Sequence, residues 1–290
     1  MKFTKMHGLG NDFILINCIK QEIKEPSELA KEVCDRHFGI GADGILLVLP
    51  SECADFKMKL FNYDGSEGEM CGNGIRCFAK YIYEKNLSKK EKINIETLAG
   101  IKIAELSIQD NKVVSIRVDM GLPKLKKKEV PVTFGNPDDM MLNEEIKLPN
   151  GEKLKLTAVN TGVPHTVLFV DNIEAVNVLK LGSLIRHFKE VFPEGTNVNF
   201  VQILEKNNFK VRTYERGVEN ETLACGTGAT AVSVAVTLLN RTDVNKPIKL
   251  TFKGGEIKTE IKMEDGRIKN IFMIGPAKIV FEGEYSGEKK

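Results

Sequence analysis

Two cysteines stand at the head of matching tetrads, Cys71-Gly72-Asn73-Gly74 and Cys225-Gly226-Thr227-Gly228. Each opens an apolar helical run, so each thiol sits where a helix begins. Unpaired backbone N–H groups and the positive end of the helix dipole attract anions there and favour a thiolate. Gly72-Asn73 and Gly226-Thr227 offer N–H donors to a carboxylate, and the glycines let that ligand come close. Two such helix ends aimed at one carboxylate also stabilise the enolate-like charge that appears when its α-proton leaves. A free thiol titrates at about 8.5, within tuning range of a general acid or base at neutral pH. A thiolate on one face of a carbon and a thiol on the other invert that centre without a cofactor. A single base could return the proton only to its own side.

The elements that must position these thiols are themselves repeated. Lys59-Leu60-Phe61-Asn62-Tyr63 and Lys210-Val211-Arg212-Thr213-Tyr214 read as strands preceding each loop, and the two loops from Tyr to Cys differ by three residues. An Asn, Asn86 or Asn240, stands fifteen residues after each Cys. One tetrad alone reads as a helix-entry turn whose Cys packs. Two in the same frame read as duplicated half-sites.

In the first half, residues 2–18 read as two strands around the bend His7-Gly8-Leu9-Gly10-Asn11-Asp12. A helix N-capped by Ser27 runs through His37 and stops at Gly39 and Gly41. Strands follow at 45–49 and 56–61. After Cys71, Ile75, Phe78, Ala79 and Ile82 form an amphipathic helical stripe. Further strands lie at 93–97, 101–108 and 113–119. Gly121, Pro123 and the lysines Lys124, Lys126, Lys127 and Lys128 read as a solvated linker.

The second half repeats this plan, with strands at 154–160 and 166–171 around Pro164-His165 and a helix over 176–188. Strands at 198–204 and 209–214 precede the Cys225 helix. That helix carries no charge between Gly226 and Asn240 and belongs in the middle of a domain. Strands at 248–252, 256–263, 268–273 and 277–282 finish the chain. The expected fold is α+β: two pseudo-symmetric domains, each a curved, mostly antiparallel β-sheet or barrel around a central helix. The first domain is residues 1–122, completed by a C-terminal strand within 275–290; the second is 123–274.

Composition narrows the function classes. The chain of 290 residues is 42% hydrophobic and 28% charged, with a formal net charge of +2 from 42 basic and 40 acidic side chains. Nothing in that balance calls for nucleic acid or a membrane surface as partner. Residues 1–20 lack a secretory h-region, because Lys5, His7, Asn11 and Asp12 interrupt them, so the reading is cytoplasmic. The six cysteines show no disulfide or zinc spacing, and no metal is expected. Cys18, Cys34 and Cys53 read as small buried hydrophobes.

At the level of motifs the sequence resembles the diaminopimelate epimerase family. The match runs in order through His7-Gly8-Leu9-Gly10-Asn11-Asp12-Phe13, Asn62-Tyr63-Asp64-Gly65-Ser66 and Cys71-Gly72-Asn73-Gly74-Ile75-Arg76. It continues through Pro164-His165 and Tyr214-Glu215-Arg216-Gly217 to Ala224-Cys225-Gly226-Thr227-Gly228. The resemblance implies a cofactor-independent isomerase converting LL- and meso-diaminopimelate, a step toward lysine and peptidoglycan, working as a homodimer. It implies Cys71 and Cys225 as the acid/base pair, with His165 and Glu215 adjusting the thiols. Gly72-Asn73 and Gly226-Thr227 would cradle the reacting carboxylate. Asn11, Asn62, Asn197, Glu215 and Arg216 would make the other substrate contacts, Arg216 through its forked donors. Two positions depart from the pattern. Many members carry Gln where this chain has Gly44 and Asn where it has Val163, and Asn160 is a nearby alternative for the second amide.

Three other readings stand beside this one. A proline or hydroxyproline racemase shares the cysteine pair but differs around the first Cys, and Asn73 with the Glu215-Arg216 pair disfavours it. A non-catalytic amino-acid-binding module would not exchange the substrate α-proton with solvent. A cysteine hydrolase with a histidine base leaves the second tetrad unexplained.

Overall fold

The computed structural model describes residues 1–287. The chain divides into two compact units, Met1–Asp119 with the segment from Ile274 onward, and Met120–Met273. Each unit is a mixed, mainly antiparallel sheet with two helices. No helix among the described residues is long and apolar enough to cross a membrane.

The first unit runs β1 (Lys2–Gly8), β2 (Asn11–Asn17), α1 (Pro26–Cys34), β3 (Gly44–Leu49), β4 (Phe56–Asn62) and β5 (Glu67–Gly68). It continues with α2 (Gly72–Glu84), β6 (Lys92–Thr97), β7 (Gly100–Gln109) and β8 (Lys112–Asp119). Antiparallel pairs β1–β2, β3–β4, β6–β7 and β7–β8 are joined by parallel pairs β2–β3 and β4–β6. Strands β2 and β3 are apolar on both faces. Ile14, Ile16, Ile45 and Leu47 pack with Ala30 and Val33 of α1. The alternating residues Leu15, Leu46 and Val48 are also buried and point to the opposite face, where α2 lies against β1, β2, β3 and β4.

The second unit repeats that order after one added strand, β9 (Glu144–Lys147). It runs β10 (Lys153–Asn160), β11 (Pro164–Phe169), α3 (Val178–Arg186), β12 (Asn197–Glu205), β13 (Asn208–Glu215) and β14 (Asn220–Thr222). Then come α4 (Gly226–Leu238), β15 (Ile248–Phe252), β16 (Gly255–Glu264) and β17 (Arg267–Gly275). The parallel joints recur at β11–β12 and β13–β15, with antiparallel β10–β11, β12–β13 and β15–β16. Strand β9 extends this sheet beside β10. In the first unit the equivalent place beside β1 is taken by β18 (Lys278–Glu284), from the far end of the chain.

Both central helices end in the same way. Asn86 and Asn240 adopt φ of 57° and 55°, the left-handed conformation that Asn tolerates better than most residues. In each, the Asn N–H reaches back to Tyr83 O (3.1 Å) or Thr237 O (3.1 Å). The next N–H reaches Ile82 O (3.0 Å) or Val236 O (2.8 Å). This is a Schellman cap, and it accounts for an Asn at the same distance from each Cys.

Several elements differ from the sequence reading. Helix α1 begins at Pro26 after Glu25 and ends at Cys34. Pro26 fits the first helical position, where no N–H is needed, and Ser27 instead donates to Gly65 O at 2.8 Å. Helix α2 is buried all round from Gly72 to Tyr83, including Arg76 and Lys80, so the apolar stripe covers only part of its buried surface. Of the four lysines, Lys124, Lys126 and Lys128 are exposed as expected, but the segment is not a free linker. Lys127 is buried and pairs with Glu144 at 2.9 Å, while Val130, Val132 and Met141 enter the core of the second unit. Cys53 is exposed rather than buried.

Candidate active site

In the first unit Cys71 is the N-cap residue of α2, in an extended conformation with φ −136° and ψ 119°. The first intrahelical bond is Ile75 N–H to Cys71 O at 2.9 Å, so the N–H groups of Gly72, Asn73 and Gly74 precede the helical ladder. The Cys71 Sγ donates to Asn11 Oδ1 at 3.5 Å, and Asn73 Nδ2 donates to the same oxygen at 3.2 Å. Asn11 is aimed by the tight β1–β2 turn, in which Leu9 and Gly10 take φ of 57° and 91°. Its Nδ2 is anchored to Asp43 Oδ2 at 2.8 Å, which leaves the carbonyl end facing the thiol.

Behind Asn11 stands a charged cluster. Arg36 bridges Asp12 and Asp43, both at 2.8 Å, and Lys5 reaches Asp12 at 2.7 Å. Burial works to raise the Asp12 carboxyl, but hydrogen bonds from Arg36 and Lys5 outweigh it and hold the group at about 2. On the helix side Arg76 is fully buried and donates to Asn73 Oδ1 at 2.8 Å, Gly72 O at 3.3 Å and Pro276 O at 3.1 Å. Burial pushes its pKa down. Asn62 lies outside this network and donates to Ser66 Oγ at 3.0 Å.

In the second unit Cys225 caps α4 in nearly the same conformation, φ −122° and ψ 116°. Its Sγ accepts from Gly228 N–H at 3.3 Å and lies 3.4 Å from Thr227 Oγ1. His165 Nε2 is 3.0 Å from that hydroxyl. The ring is completely buried, and burial, reinforced by the Arg216 charge, lowers its pKa to about 3; it is neutral at any ordinary pH. Asn197 ties Pro164 O (2.8 Å) to the Arg216 N–H (2.8 Å), which fixes the His165 bend relative to Arg216. The Arg216 guanidinium donates to Glu194 O at 3.2 Å, and burial followed by nearby Arg186 lowers its pKa. Glu215 accepts from Thr222 Oγ1 at 2.8 Å. No group of three or more His, Cys, Asp or Glu side chains among the described residues is placed to hold a metal ion.

A family model described as diaminopimelate epimerase matches residues 3–126 and 157–280. The chain belongs to the diaminopimelate epimerase family. A protein of that name from Methanococcus maripaludis is 48% identical over 284 residues, covering 98% of this chain and 99% of that one. Another, from Acetivibrio thermocellus, is 46% identical and covers 98% of each chain. Among solved structures, a probable proline racemase from Agrobacterium radiobacter aligns with TM-score 0.74 at 16% identity, covering 99% of this chain and 93% of that one. A PhzF-family phenazine biosynthesis protein from Bacillus anthracis gives 0.71 at 18%, with 98% of each covered. At those identities the likeness is one of fold.

Both departures from the family pattern have a structural counterpart. A Cβ on Gly44 would lie 2.5 Å from Phe61 O, so any side chain at this position would require the β4 backbone to shift. Asn160, the alternative amide near Val163, donates to Glu129 O and accepts from Gly162 N–H, each at 3.0 Å. One end of its amide holds the bend and the other holds the Glu129 carbonyl, so both ends are engaged. Of the residues singled out in this diaminopimelate epimerase-family sequence, Cys71, Asn11 and Asn73 come together in one unit. Cys225, Thr227 and His165 come together in the other. The sequence reading missed Asp43 and Asn199. Asp43 carries no local signal, whereas Asn197 and Asn199 alternate with Val198 and Phe200 at the buried start of β12, and that spacing marks two amides on one face.

Proposed function

We propose that the protein interconverts LL- and meso-diaminopimelate by a two-base mechanism in which Cys71 and Cys225 are the acid/base pair. The observation that carries this reading is the duplication of one local design. Each central helix is capped by a cysteine in the same extended conformation, with polar partners at its sulfur. One sulfur, as thiolate, takes the α-proton, and the electron pair left behind spreads into the neighbouring carboxylate. First-turn N–H groups of α2 and α4 are the donors suited to that charge. The other sulfur, as thiol, delivers its proton to the opposite face. The two sulfurs end with their protonation states exchanged, so the reverse reaction starts from the product form. No redox partner or added group enters the balance.

Arg216 is assigned to the non-reacting carboxylate, and His165 and Glu215 to setting the thiols. With this reading we infer a homodimer working in the cytoplasm, checked by sedimentation of the purified protein and fractionation of cells. The deciding experiment is proton NMR of LL-diaminopimelate in heavy water. Native protein should exchange the α-proton and form the meso isomer. Cys71→Ala and Cys225→Ala should each lose epimerisation by at least about a thousandfold while staying folded. Near-native kcat in either variant would end the two-base reading.

A further inference from the structure

We propose that Asn199 is a positioning residue for Cys225: it fixes which nitrogen of His165 carries the proton, and so aims the Thr227 hydroxyl hydrogen at the Cys225 sulfur. The inference rests on Cys225 being one of the two acid/base groups. Asn199 is fully buried on β12, and its amide orientation is fixed by its surroundings. One end lies 3.1 Å from Thr166 O, which can only accept, so that end is the Nδ2. The Oδ1 accepts from Thr213 Oγ1 at 2.9 Å. The same Nδ2 is 3.1 Å from His165 Nδ1 and must donate to it.

A neutral imidazole whose Nδ1 accepts carries its proton on Nε2. That N–H points at Thr227 Oγ1, 3.0 Å away. Thr227 Oγ1 then receives a proton from the ring, and its own hydrogen is left for another acceptor. The Cys225 sulfur is 3.4 Å away. Together with the Gly228 N–H at 3.3 Å, this gives the sulfur two donors, an arrangement that favours the thiolate. The opposite tautomer fails on two counts. It would set two N–H groups against each other at Nδ1, and its bare Nε2 would draw the Thr227 hydrogen away from the sulfur. Arg216 is the charge acting on the ring, and it opposes a second ring proton.

Space points the same way. A Cβ added to Gly228 would lie 2.6 Å from Asn199 Oδ1 and 3.2 Å from the Cys225 sulfur. Glycine at that position lets the amide and the thiol both pack against the first turn of α4.

The test has two arms. Long-range proton–nitrogen NMR of the native protein reads the His165 tautomer directly, with the signal identified by its loss in His165→Gln. A proton on Nε2 is expected, and a proton on Nδ1 overturns the inference. The second arm titrates Cys225 by thiolate absorbance in a Cys53→Ser, Cys71→Ala background. Burial keeps Cys18, Cys34 and Cys77 out of the window by raising them to about 11, 12 and 12. Adding Asn199→Leu should raise the Cys225 midpoint by about one pH unit, a tenfold loss of thiolate near neutrality. An unmoved midpoint in the folded variant overturns the proposal, and if that variant does not fold the native spectrum still decides. Neither readout uses turnover. Failure of the two-base reading would appear separately, as activity surviving Cys225→Ala with the tautomer intact.

Discussion

His165 sits in an environment that keeps it neutral and makes it acid-sensitive. Its folded pKa, about 3, lies below the ordinary value of 6.5. Below pH 6.5 the unfolded chain therefore binds a proton at this residue that the folded chain does not. Stability contributed here is present above pH 6.5 and is lost as pH falls toward 3, at up to about 1.4 kcal/mol per pH unit. Asp12 acts later, between its ordinary 3.8 and its folded value of about 2. Denaturant unfolding followed from pH 7 to 4 should show falling stability, with a clearly shallower slope in His165→Gln. Equal slopes would mean that the ring is hydrated and titrates normally. Arg216 answers to a different measurement. Arg216→Lys keeps the charge but loses the forked donors, removing one charge-assisted bond of about 1.5 kcal/mol. KM for diaminopimelate should rise about tenfold with kcat little changed. An unchanged KM would take Arg216 out of the binding site.

Elements were legible where local chemistry decided them and obscure where a distant partner did. The two Cys-led helices could be read because glycines, an apolar run and a terminal Asn all lie within one short stretch. The start of α1 was misread because Ser27 is a good cap by type, yet its hydroxyl serves Gly65, thirty-eight residues away. The Lys127 segment misled for a similar reason: its charge is answered by Glu144, seventeen residues on. The amide network around His165 was invisible for its pairing of β11 with β12, although Asn197 and Asn199 left a trace in their alternation. At this scale the terminal asparagines carry a prediction. Asn86→Val and Asn240→Val force a β-branched residue into the left-handed region at a cost of about 1–2 kcal/mol each. Asn86→Gly and Asn240→Gly should be close to neutral. Urea midpoints measured on the four variants decide it. Equal losses for Val and Gly would show that the amide side chain, and not the backbone conformation, closes the helix.

The molecule repeats one unit, but the repeat closes differently in its two copies. In the second unit the strand beside β10 is β9, which precedes it by a short turn; Leu148 O accepts from the Gly151 N–H and the Leu148 N–H donates to Glu152 O, each at 2.8 Å. In the first unit the strand beside β1 is β18, which arrives only after the rest of the chain has been made. Three further ties depend on that segment. Pro276 O accepts from buried Arg76, Glu282 pairs with Lys85 of the α2 terminus, and Tyr285 bonds to Met1 and to Glu32 of α1. Removing residues 276–290 therefore bares the β1 edge and takes an acceptor from a fully buried guanidinium next to the Cys71 turn, a loss of about 1–3 kcal/mol for that group alone. The second unit keeps all its own pairings. Hydrogen exchange of the truncated chain should show protection lost across β1, β2 and α2 and kept across β12, β13 and α4, with epimerase activity lost as the Cys71 turn proposed to carry one of the acid/base groups loses its support. Native-like protection of α2 would show that the first unit closes without its last strand, and the late-arriving β18 would then be an edge cover and not part of the frame that holds Cys71.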